Sequence, residues 1–273
     1  MQEIHVAVPD SLLMEDRDLR DRTVKLGLVA RALAIYRVER VYIFRDPIEG
    51  MPESEGRFIA EVLGYLETPQ YLRKRLYPLK PELRYAGLMP PLKIPSHKKN
   101  PILTPGEFRE GIVEITRGEK SVFVGTDSNL RFVGDARANS RVTVKIERNG
   151  SGYYARQVTR KEVKDYWGYV VRIEKNILQL CRSYGLSVIT SRLGSKIEET
   201  WKEVKDLLHT SSETLLVFGA PKRGLLEMYG REQWLGVSRF ILNTIPNQGV
   251  DTVRTEEALL ATLQTFNLLA LMK

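Results

Sequence analysis

Residues 214–224 read TLLVFGAPKRG, an apolar β-type run that ends in a bend containing Gly219, Pro221 and Gly224. The same order occurs before and after it in the chain. Residues 186–190 lead into a bend at 191–195, and residues 240–244 lead into a bend at 245–250. Apolar strands that alternate with helical stretches are typical of a parallel sheet with crossover helices. This part of the chain therefore predicts an α/β fold.

The three bends are the strongest candidates for a ligand site. In parallel α/β sheets, ligands bind at the carboxyl ends of the strands, where these bends are expected to lie. Glycine permits a ligand to approach the backbone closely, and proline stiffens a turn. Together the bends can present backbone N–H and C=O groups to a flat polar group such as adenine. A plain strand-to-helix turn is the alternative for any one of them.

The first 88 residues repeat the alternation of strand and helix. We expect strands at residues 4–8 and 41–44, and helices at about 18–36, 58–66 and 69–76. The first helix should be largely buried, because it has two apolar faces. One face carries larger side chains and the other is flat: Val24, Leu28, Ala32 and Ile35, against Gly27, Ala30 and Ala34.

The middle of the chain, residues 89–164, has a different character. Prolines interrupt any helix at its start, and five short β-type runs separated by turn residues follow. These runs predict a small closed barrel of the oligonucleotide-binding (OB) type. We therefore predict two domains, one formed by residues 1–88 and 165–273 and an inserted one formed by residues 89–164.

The excess positive charge lies in this insert. It has 15 Lys and Arg residues against 8 Asp and Glu, whereas the rest of the chain has 27 against 26. A basic insert in a nearly neutral body favours a polyanionic partner, because side chains that contact phosphates release counterions. The scattered aromatic residues would add base stacking. The alternatives are a basic surface kept for solubility and aromatic rings that fill the barrel core.

Composition excludes several classes of protein. The chain has 273 residues, a formal net charge of +8, one cysteine and three histidines. The single Cys181, which we place in the core, excludes a disulfide framework and a cysteine-based zinc site. His5, His97 and His209 share no ligand spacing, so we predict no metal site. No apolar run reaches the ~18 residues of a membrane span, and the start lacks the pattern of a secretory signal. We expect a cytoplasmic protein with no membrane contact.

Two nucleotide-binding motifs are present only in part. Gly150, Gly152 and Ala155 have the dinucleotide-binding spacing, but Asn149-Gly150 is typical of a hairpin turn rather than of the start of a helix. The bend at 219–224 has the glycine spacing of a phosphate-binding loop without the Lys–Ser/Thr pair that must follow. Neither a nicotinamide-dependent oxidoreductase nor ATP or GTP hydrolysis is favoured.

Five longer strings carry a family resemblance. They are residues 18–32 (DLRDRTVKLGLVARA), 83–92 (LRYAGLMPPL), 165–172 (DYWGYVVR), 218–225 (FGAPKRGL) and 243–258 (NTIPNQGVDTVRTEEA). With them the chain resembles, over nearly its whole length, the SPOUT class of trefoil-knotted RNA methyltransferases that use S-adenosylmethionine. It is most similar to the archaeal and eukaryotic branch, in which an OB-like domain is inserted in the knotted domain.

The resemblance implies the fold and the methyl-donor site. The α/β domain should be a knotted parallel-sheet domain, with S-adenosylmethionine bound bent in the knot and held mainly by backbone groups. A homodimer is also implied, with the knot regions packed together. That would explain the very apolar stretch 256–272, for which docking on the core is an equal alternative. By position, the donor contacts are Thr190, Arg192, Gly194, Gly219, Pro221, Gly224, Ile245, Asn247, Gln248, Gly249 and Val250.

The resemblance also implies an RNA substrate, and ribosomal RNA in particular. Members of the class methylate ribose 2′-oxygens, guanine N1 or pyrimidines, and relatives of this branch are linked to N3 of uridine in large-subunit ribosomal RNA. An N3 target must be in line with the donor and must lose its proton. The bends contain no evident His or Glu base. Three arginines can stabilise an anionic uridine or hold phosphate: Arg192, Arg223 and Arg254.

Basic residues of the first helix and the insert are the predicted RNA contacts: Arg20, Arg22, Lys98, Lys99, Arg109, Arg131, Arg141, Lys145 and Arg156. The alternative to an enzyme is an RNA-binding or ribosome-assembly factor that keeps the knotted fold without chemistry.

Overall fold

The computed structural model describes residues 3–150 and 152–272. Six strands of the described chain form one sheet: β1 (Glu3–Pro9), β2 (Arg40–Phe44), β8 (Val170–Glu174), β9 (Leu186–Lys196), β10 (Glu213–Val217) and β11 (Phe240–Asn243). Five others form a closed barrel: β3 (Phe108–Thr116), β4 (Glu119–Phe123), β5 (Leu130–Val133), β6 (Arg141–Asn149) and β7 (Gly152–Val158). The helices are α1 (Leu19–Ile35), α2 (Glu53–Glu67), α3 (Gln70–Leu76), α4 (Ile177–Arg182), α5 (Ile197–Thr210), α6 (Leu225–Tyr229), α7 (Arg231–Leu235) and α8 (Thr255–Leu271).

The sheet has the strand order β11-β9-β10-β1-β2-β8, and every neighbouring pair is parallel. Its central strands are apolar without interruption, and Val6, Val8, Leu215 and Val217 are wholly buried. That is expected for a parallel sheet covered by helices on both faces. The prediction of an α/β fold with a parallel sheet is confirmed.

Strand β8 is not among the predicted strands. Its sequence, VVRIE, is half-buried or exposed along its length, and it pairs with β2 at the edge of the sheet. An edge strand is covered less than a central one, so its apolar pattern is weaker. Composition alone did not distinguish it from a loop.

Helix α1 begins at the cap Asp18, whose side chain accepts a hydrogen bond from the Asp21 backbone N–H. The flat face is buried as predicted, and a Cβ at Gly27 would lie 3.1 Å from Pro90 Cδ. The prediction that the other face also lies in the core is wrong. Leu28 and Ile35 are 51% and 50% exposed, and Val24 is exposed beside them. An apolar stripe of α1 therefore faces outward.

Helix α8 is divided in the same way. Leu259, Leu263 and Phe266 are wholly buried against the rest of the sheet unit. The remaining apolar residues on its outer face are exposed: Leu260, Leu268, Leu271 and Met272. Docking on the core therefore accounts for only one face of the apolar C-terminal stretch.

The described chain divides into two compact units. One contains the sheet and comprises the chain up to Leu66, Pro81–Leu92, and the chain from Tyr169 onward. The other contains the barrel and comprises Glu67–Lys80 and Lys93–Gly168. The boundaries that the sequence analysis gives for the two domains stay a prediction.

The barrel is closed in the order β3-β4-β5-β7-β6, with β6 paired back to β3. Its interior is apolar and includes Val113, Val122, Val144 and Ile146. The predicted small barrel is thus present, and it is consistent with an OB-like domain. The partial dinucleotide motif falls in the β6–β7 hairpin, where Asn149 and Gly152 are paired. That context confirms its rejection.

A buried ion cluster lies in the barrel unit. Arg141 Nη1 donates to Glu67 Oε2 and Arg141 Nε donates to Glu110 Oε2, each at 2.6 Å. Arg160 Nη2 reaches Glu67 Oε1 at 3.1 Å, and the Trp167 indole N–H donates to Glu110 Oε1. Burial raises the pKa of Glu67, and the Arg141 guanidinium opposes that rise. The cluster holds two carboxylates away from water.

Candidate functional site

The first bend interrupts a strand rather than following one. β9 continues to Lys196, but its pairing with β11 jumps from Ile189↔Ile241 to Ser195↔Leu242. The residues between these pairs, 190–194, leave the pairing and form a long bulge. A Cβ at Gly194 would lie 2.5 Å from Ile241 O, so only glycine fits there. The prediction of a simple loop at 191–195 is wrong, because β9 resumes its pairing beyond the bulge.

The second bend is closed on itself. The Ala220 backbone N–H donates to Arg223 O at 3.1 Å, and the Arg223 N–H donates to Ala220 O at 3.4 Å. A Cβ at Gly219 would lie 3.1 Å from Leu225 N and 3.3 Å from Gly224 Cα. A side chain at Gly219 would therefore press on the backbone of the bend's own far side, which would have to shift to make room.

The third bend follows β11 and includes a left-handed residue, Asn247, with φ of 59°. Asn243 Oδ1 accepts from the Ile245 N–H at 3.0 Å at its start. Gln248 Nε2 donates to Val250 O at 2.8 Å and to Asp251 O at 3.2 Å. The amide side chains thus fix the backbone of the bend.

Side chains also join the bends to one another. Arg192 Nη1 donates to Asp251 O at 2.7 Å, and Asn243 Nδ2 donates to Arg192 O at 3.2 Å. The Thr255 hydroxyl, at the start of α8, donates to Gly219 O at 2.9 Å. The three bends therefore form one polar frame at the carboxyl ends of β9, β10 and β11.

This frame encloses a cavity of about 280 Å³. Seven of the predicted donor contacts line it: Thr190, Arg192, Gly219, Pro221, Gly224, Ile245 and Gln248. Four others are not among its lining residues: Gly194, Asn247, Gly249 and Val250. Gly194 packs against β11 instead, as described above. The structure thus brings residues of all three bends to one cavity.

The lining is chemically mixed. Hydroxyl groups come from Ser191, Thr244 and Thr252, and apolar side chains come from Leu225, Leu226, Leu242 and Val253. Charged residues stand beside them: Arg192, Lys222, Glu227 and Asp251. Ligand pockets typically combine apolar walls with a few fixed polar groups. Glu227 and Asp251 are not among the predicted site residues, because they follow the second and third bends rather than lying in them.

Arg223 and Arg254 are not lining residues of the cavity. Arg223 Nη1 donates to Asp46 Oδ1 at 2.9 Å, and its Nη2 donates to Glu227 O at 3.2 Å. Arg254 is the N-cap residue of α8, and its backbone N–H donates to Glu257 Oε2. Arg223 therefore anchors the second bend to the segment that follows β2. Of the three predicted catalytic arginines, Arg192 lines the cavity.

The partner of Arg223 belongs to a buried acidic group behind the second bend. Asp46 is 0% exposed; its carboxylate accepts from the Ser11 hydroxyl, and its backbone N–H donates to Asp10 Oδ1 at 2.9 Å. Burial raises the pKa of Asp10. Burial and these two carboxylates raise the pKa of Tyr229 to about 12. No local motif marks this group, because its members come from three distant parts of the chain.

The predicted RNA contacts differ in accessibility. Arg109 is 2% exposed, and its guanidinium donates to Asn100 O, Ile102 O and Glu107 inside the barrel unit. Arg141 lies in the ion cluster described above. Both are therefore structural residues of the barrel unit, since their donors are already occupied by internal partners.

Other predicted RNA contacts are at the surface. Arg20, Lys99 and Arg131 are exposed, and Lys98 and Lys145 are half-buried. Arg22 pairs with Glu55, and Arg156 Nε donates to Glu147 Oε1 at 2.9 Å. Across β5, β7 and β6, Arg131 pairs in register with Tyr154, and Arg156 pairs with Lys145. A basic strip with an aromatic ring thus runs over the outer face of the barrel.

Comparison with known proteins gives a consistent result. A family model described as "Putative RNA methyltransferase" matches residues 3–266. An uncharacterized protein of Halobacterium salinarum is 36% identical over 96% of this chain and 98% of its own length. The 28S rRNA (uridine-N(3))-methyltransferase of Homo sapiens is 30% identical over 95% of this chain and 76% of its own length. Its Drosophila melanogaster counterpart is 30% identical over 95% of this chain and 61% of its own length. These matches span both the sheet and the barrel.

Proposed function

The chain belongs to this family and is an RNA methyltransferase of the SPOUT type, and we propose that it transfers a methyl group from S-adenosylmethionine to N3 of a uridine in ribosomal RNA. The observation that carries the proposal is the single cavity that the three bends form at the carboxyl ends of adjacent parallel strands. The names of the 28S rRNA relatives support the choice of N3 of uridine.

The residues of the cavity fit S-adenosylmethionine. Its lining combines apolar side chains, hydroxyl groups and backbone of the glycine-containing second bend, which suits a nucleoside joined to an amino acid. Arg192 can hold a carboxylate, and Glu227 can face a positive group. When bound, this donor supplies an electrophilic methyl group on a sulfonium centre. The protein's part is to hold the uridine in line with that group and to exclude water.

Methylation at N3 also needs a proton acceptor. Among the described residues that line the cavity, Glu227 and Asp251 are the carboxylates. Either can accept the N3 proton, and Arg192 can stabilise the negative charge that develops on the base. Arg223 and Arg254 lie outside the lining, so we assign them no part in this step.

Methyl transfer is tested by incubating the protein with isotope-labelled S-adenosylmethionine and unmodified ribosomal RNA. We expect a single labelled position, identified by nuclease digestion and mass spectrometry as 3-methyluridine. A labelled ribose or guanine would refute the proposed target. RNA binding without any transfer would favour the non-catalytic alternative, an RNA-binding or ribosome-assembly factor.

We propose that the basic strip on the barrel holds the RNA. Replacing Arg131 and Lys145 together by alanine should weaken RNA binding. It should also make the slope of log K against log salt concentration shallower by roughly 1.4, about 0.7 for each lost phosphate contact to single-stranded RNA. The measurement is RNA affinity by fluorescence anisotropy from 50 to 200 mM salt. Arg182→Ala, an exposed change on α4, is the matched control. An unchanged slope in the double variant would place the RNA elsewhere.

We also propose the trefoil knot that the family resemblance implies. The chain forms the second bend, continues through β11, and then returns to that bend, where the Thr255 hydroxyl of α8 meets Gly219 O. Helix α8 packs against both α1 and α5. A C-terminal segment that comes back to an earlier bend supports a threaded arrangement.

The cytoplasmic location expected from the sequence stays a prediction. The described part of the chain contains no helix long and apolar enough for a membrane span.

A homodimer is the proposed assembly, with the outward stripes of α1 and α8 as the contact surface. These helices are neighbours: Tyr36 Oη, at the C-terminal end of α1, donates to Gln264 Oε1 in the middle of α8 at 3.0 Å. Leu28→Glu combined with Leu268→Glu should convert the dimer to a monomer, because both would bury charge in an apolar contact. Light scattering after size-exclusion chromatography measures this. Ile173→Glu, another exposed apolar site in the sheet unit, should leave the dimer intact. A dimer that persists in the first variant would exclude this surface.

A further inference from the structure

A second cluster of polar residues lies at the other end of the sheet, near the amino-terminal ends of β1 and β10. Glu3 and Glu213 are paired in register on these parallel strands, and His5 follows two residues later on β1. Residues two apart on a strand point to the same face. One nitrogen of His5 and one oxygen of each carboxylate lie within 4.8 Å of one another. Three ligand-type side chains therefore converge on one point.

The charges of this cluster are not balanced by the contacts between its members. Two carboxylates side by side on neighbouring strands repel each other, which destabilises the pair. Arg40 pairs in register with His5 on β2 and is the nearby cation that acts on the imidazole. One arginine against two carboxylates leaves a net negative charge. A bound cation would remove the repulsion.

His5 is oriented as a ligand. Its side chain is wholly buried, and its Nδ1 lies 2.6 Å from Tyr184 Oη. Tyr184 donates its own proton to Tyr42 Oη at 3.1 Å. The Tyr184 hydroxyl thus holds the imidazole through Nδ1, which leaves Nε2 on the side of Glu3. A histidine whose other nitrogen is held by a hydrogen bond is the usual arrangement at metal sites.

The Nε2 atom is also the one without a partner. It is buried and makes no hydrogen bond within the described chain, although Glu3 Oε2 lies 3.3 Å away. A buried polar atom without a partner costs free energy, and a cation bound between Nε2 and the two carboxylates would remove that cost. Glu3 is 42% exposed, so the cluster opens to solvent on that side.

We propose that Glu3, His5 and Glu213 form a binding site for a divalent cation of the zinc type, which joins β1 to β10. Zinc is bound by one imidazole nitrogen and carboxylate oxygens in many proteins, and three protein ligands leave a position for water. Magnesium prefers an all-oxygen shell, so the imidazole selects against it. The site lies at the opposite end of the strands from the methyl-donor cavity. It is therefore independent of the proposed function, and its role is to hold the sheet together.

The test is isothermal titration of untagged, chelator-treated protein with Zn²⁺. We expect one equivalent of Zn²⁺ to bind and the melting temperature to rise, whereas Mg²⁺ at the same concentration has no effect. The double variant Glu3→Gln, Glu213→Gln should lose this binding while remaining folded, since neither residue is buried. Tyr184→Phe, which removes the hydroxyl that orients His5, should weaken binding about 10- to 100-fold.

The control is His209→Gln, which removes an exposed histidine on α5. It should bind Zn²⁺ as the unaltered protein does. Failure of the unaltered protein to bind one equivalent would overturn the site. Equal binding by the double glutamine variant would also overturn it, because the cation would then be held elsewhere.

Discussion

Gly219→Val is expected to lower the affinity for S-adenosylmethionine roughly ten- to hundredfold. The first carbon of any side chain at this position would lie 3.1 Å from Leu225 N and 3.3 Å from Gly224 Cα. Both are backbone atoms that cannot rotate away as a side chain would, so the backbone of the second bend must shift by at least a few tenths of an ångström. Overpacking of this kind costs about 1–3 kcal/mol, and each 1.4 kcal/mol taken from binding is about tenfold. Calorimetric titration with S-adenosylmethionine measures the loss.

The control for this experiment is Gly236→Ala. A Cβ there would make only ordinary contact, 3.4 Å from Gln233 O, and the residue does not line the cavity. Both variants should bind RNA through the barrel as before. Normal donor affinity in Gly219→Val would contradict the account, because the second bend would then not form part of the donor site.

Arg141→Met is expected to cost about 3–5 kcal/mol in the free energy of unfolding, the range seen when one partner of a buried ion pair is removed. The variant would leave Glu67 and Glu110 buried and facing each other, although Arg160 still reaches Glu67. Burial disfavours the charged guanidinium, but the carboxylates of Glu67 and Glu110 outweigh it and raise the pKa of Arg141. Urea unfolding monitored by circular dichroism measures the change.

A matched variant distinguishes the loss of an ion pair with buried carboxylates from the loss of an arginine charge at the surface. Arg156→Met removes an arginine from the neighbouring strand whose partner, Glu147, is at the surface. Exposed pairs contribute about 0–1 kcal/mol, so this variant should be close to the unaltered protein. Adding Glu67→Gln and Glu110→Gln to Arg141→Met should recover part of the loss. Equal destabilisation by the two single variants would show that the ion cluster is not what holds the barrel unit.

The sequence predicts the fold most clearly at the central strands, whose residues are buried without interruption. The apolar runs around Val6 and Leu216 predicted central parallel strands, because both faces of such strands are covered. Periodicity wrongly predicts that the outward stripe of α1 lies in the core, because it shows that Leu28 and Ile35 share a face but not what covers that face. The bulge of β9 was also missed. It depends on the backbone of β11 behind Gly194, which is distant in sequence.

For the candidate site, the sequence predicts the backbone bends but not the partners of the charged side chains. Glycine and proline mark the bends locally, so the cavity at Gly219 and Gln248 was expected. The partners of charged residues are not local. The partner of Arg223 is Asp46, nearly two hundred positions earlier, and Arg141 binds Glu67 across the barrel unit. Composition counts both arginines as available charge, whereas pairing with buried carboxylates makes them structural.

A crystal structure with bound S-adenosylhomocysteine, the demethylated product, tests the central claim most directly. We predict that its adenosine and amino-acid portions occupy the cavity enclosed by the three bends, with hydrogen bonds to backbone groups near Gly219 and Gln248. The same map would trace the path of α8 and show whether the chain is threaded. Clear density for the ligand at any other place, with the cavity filled by water, would contradict the account.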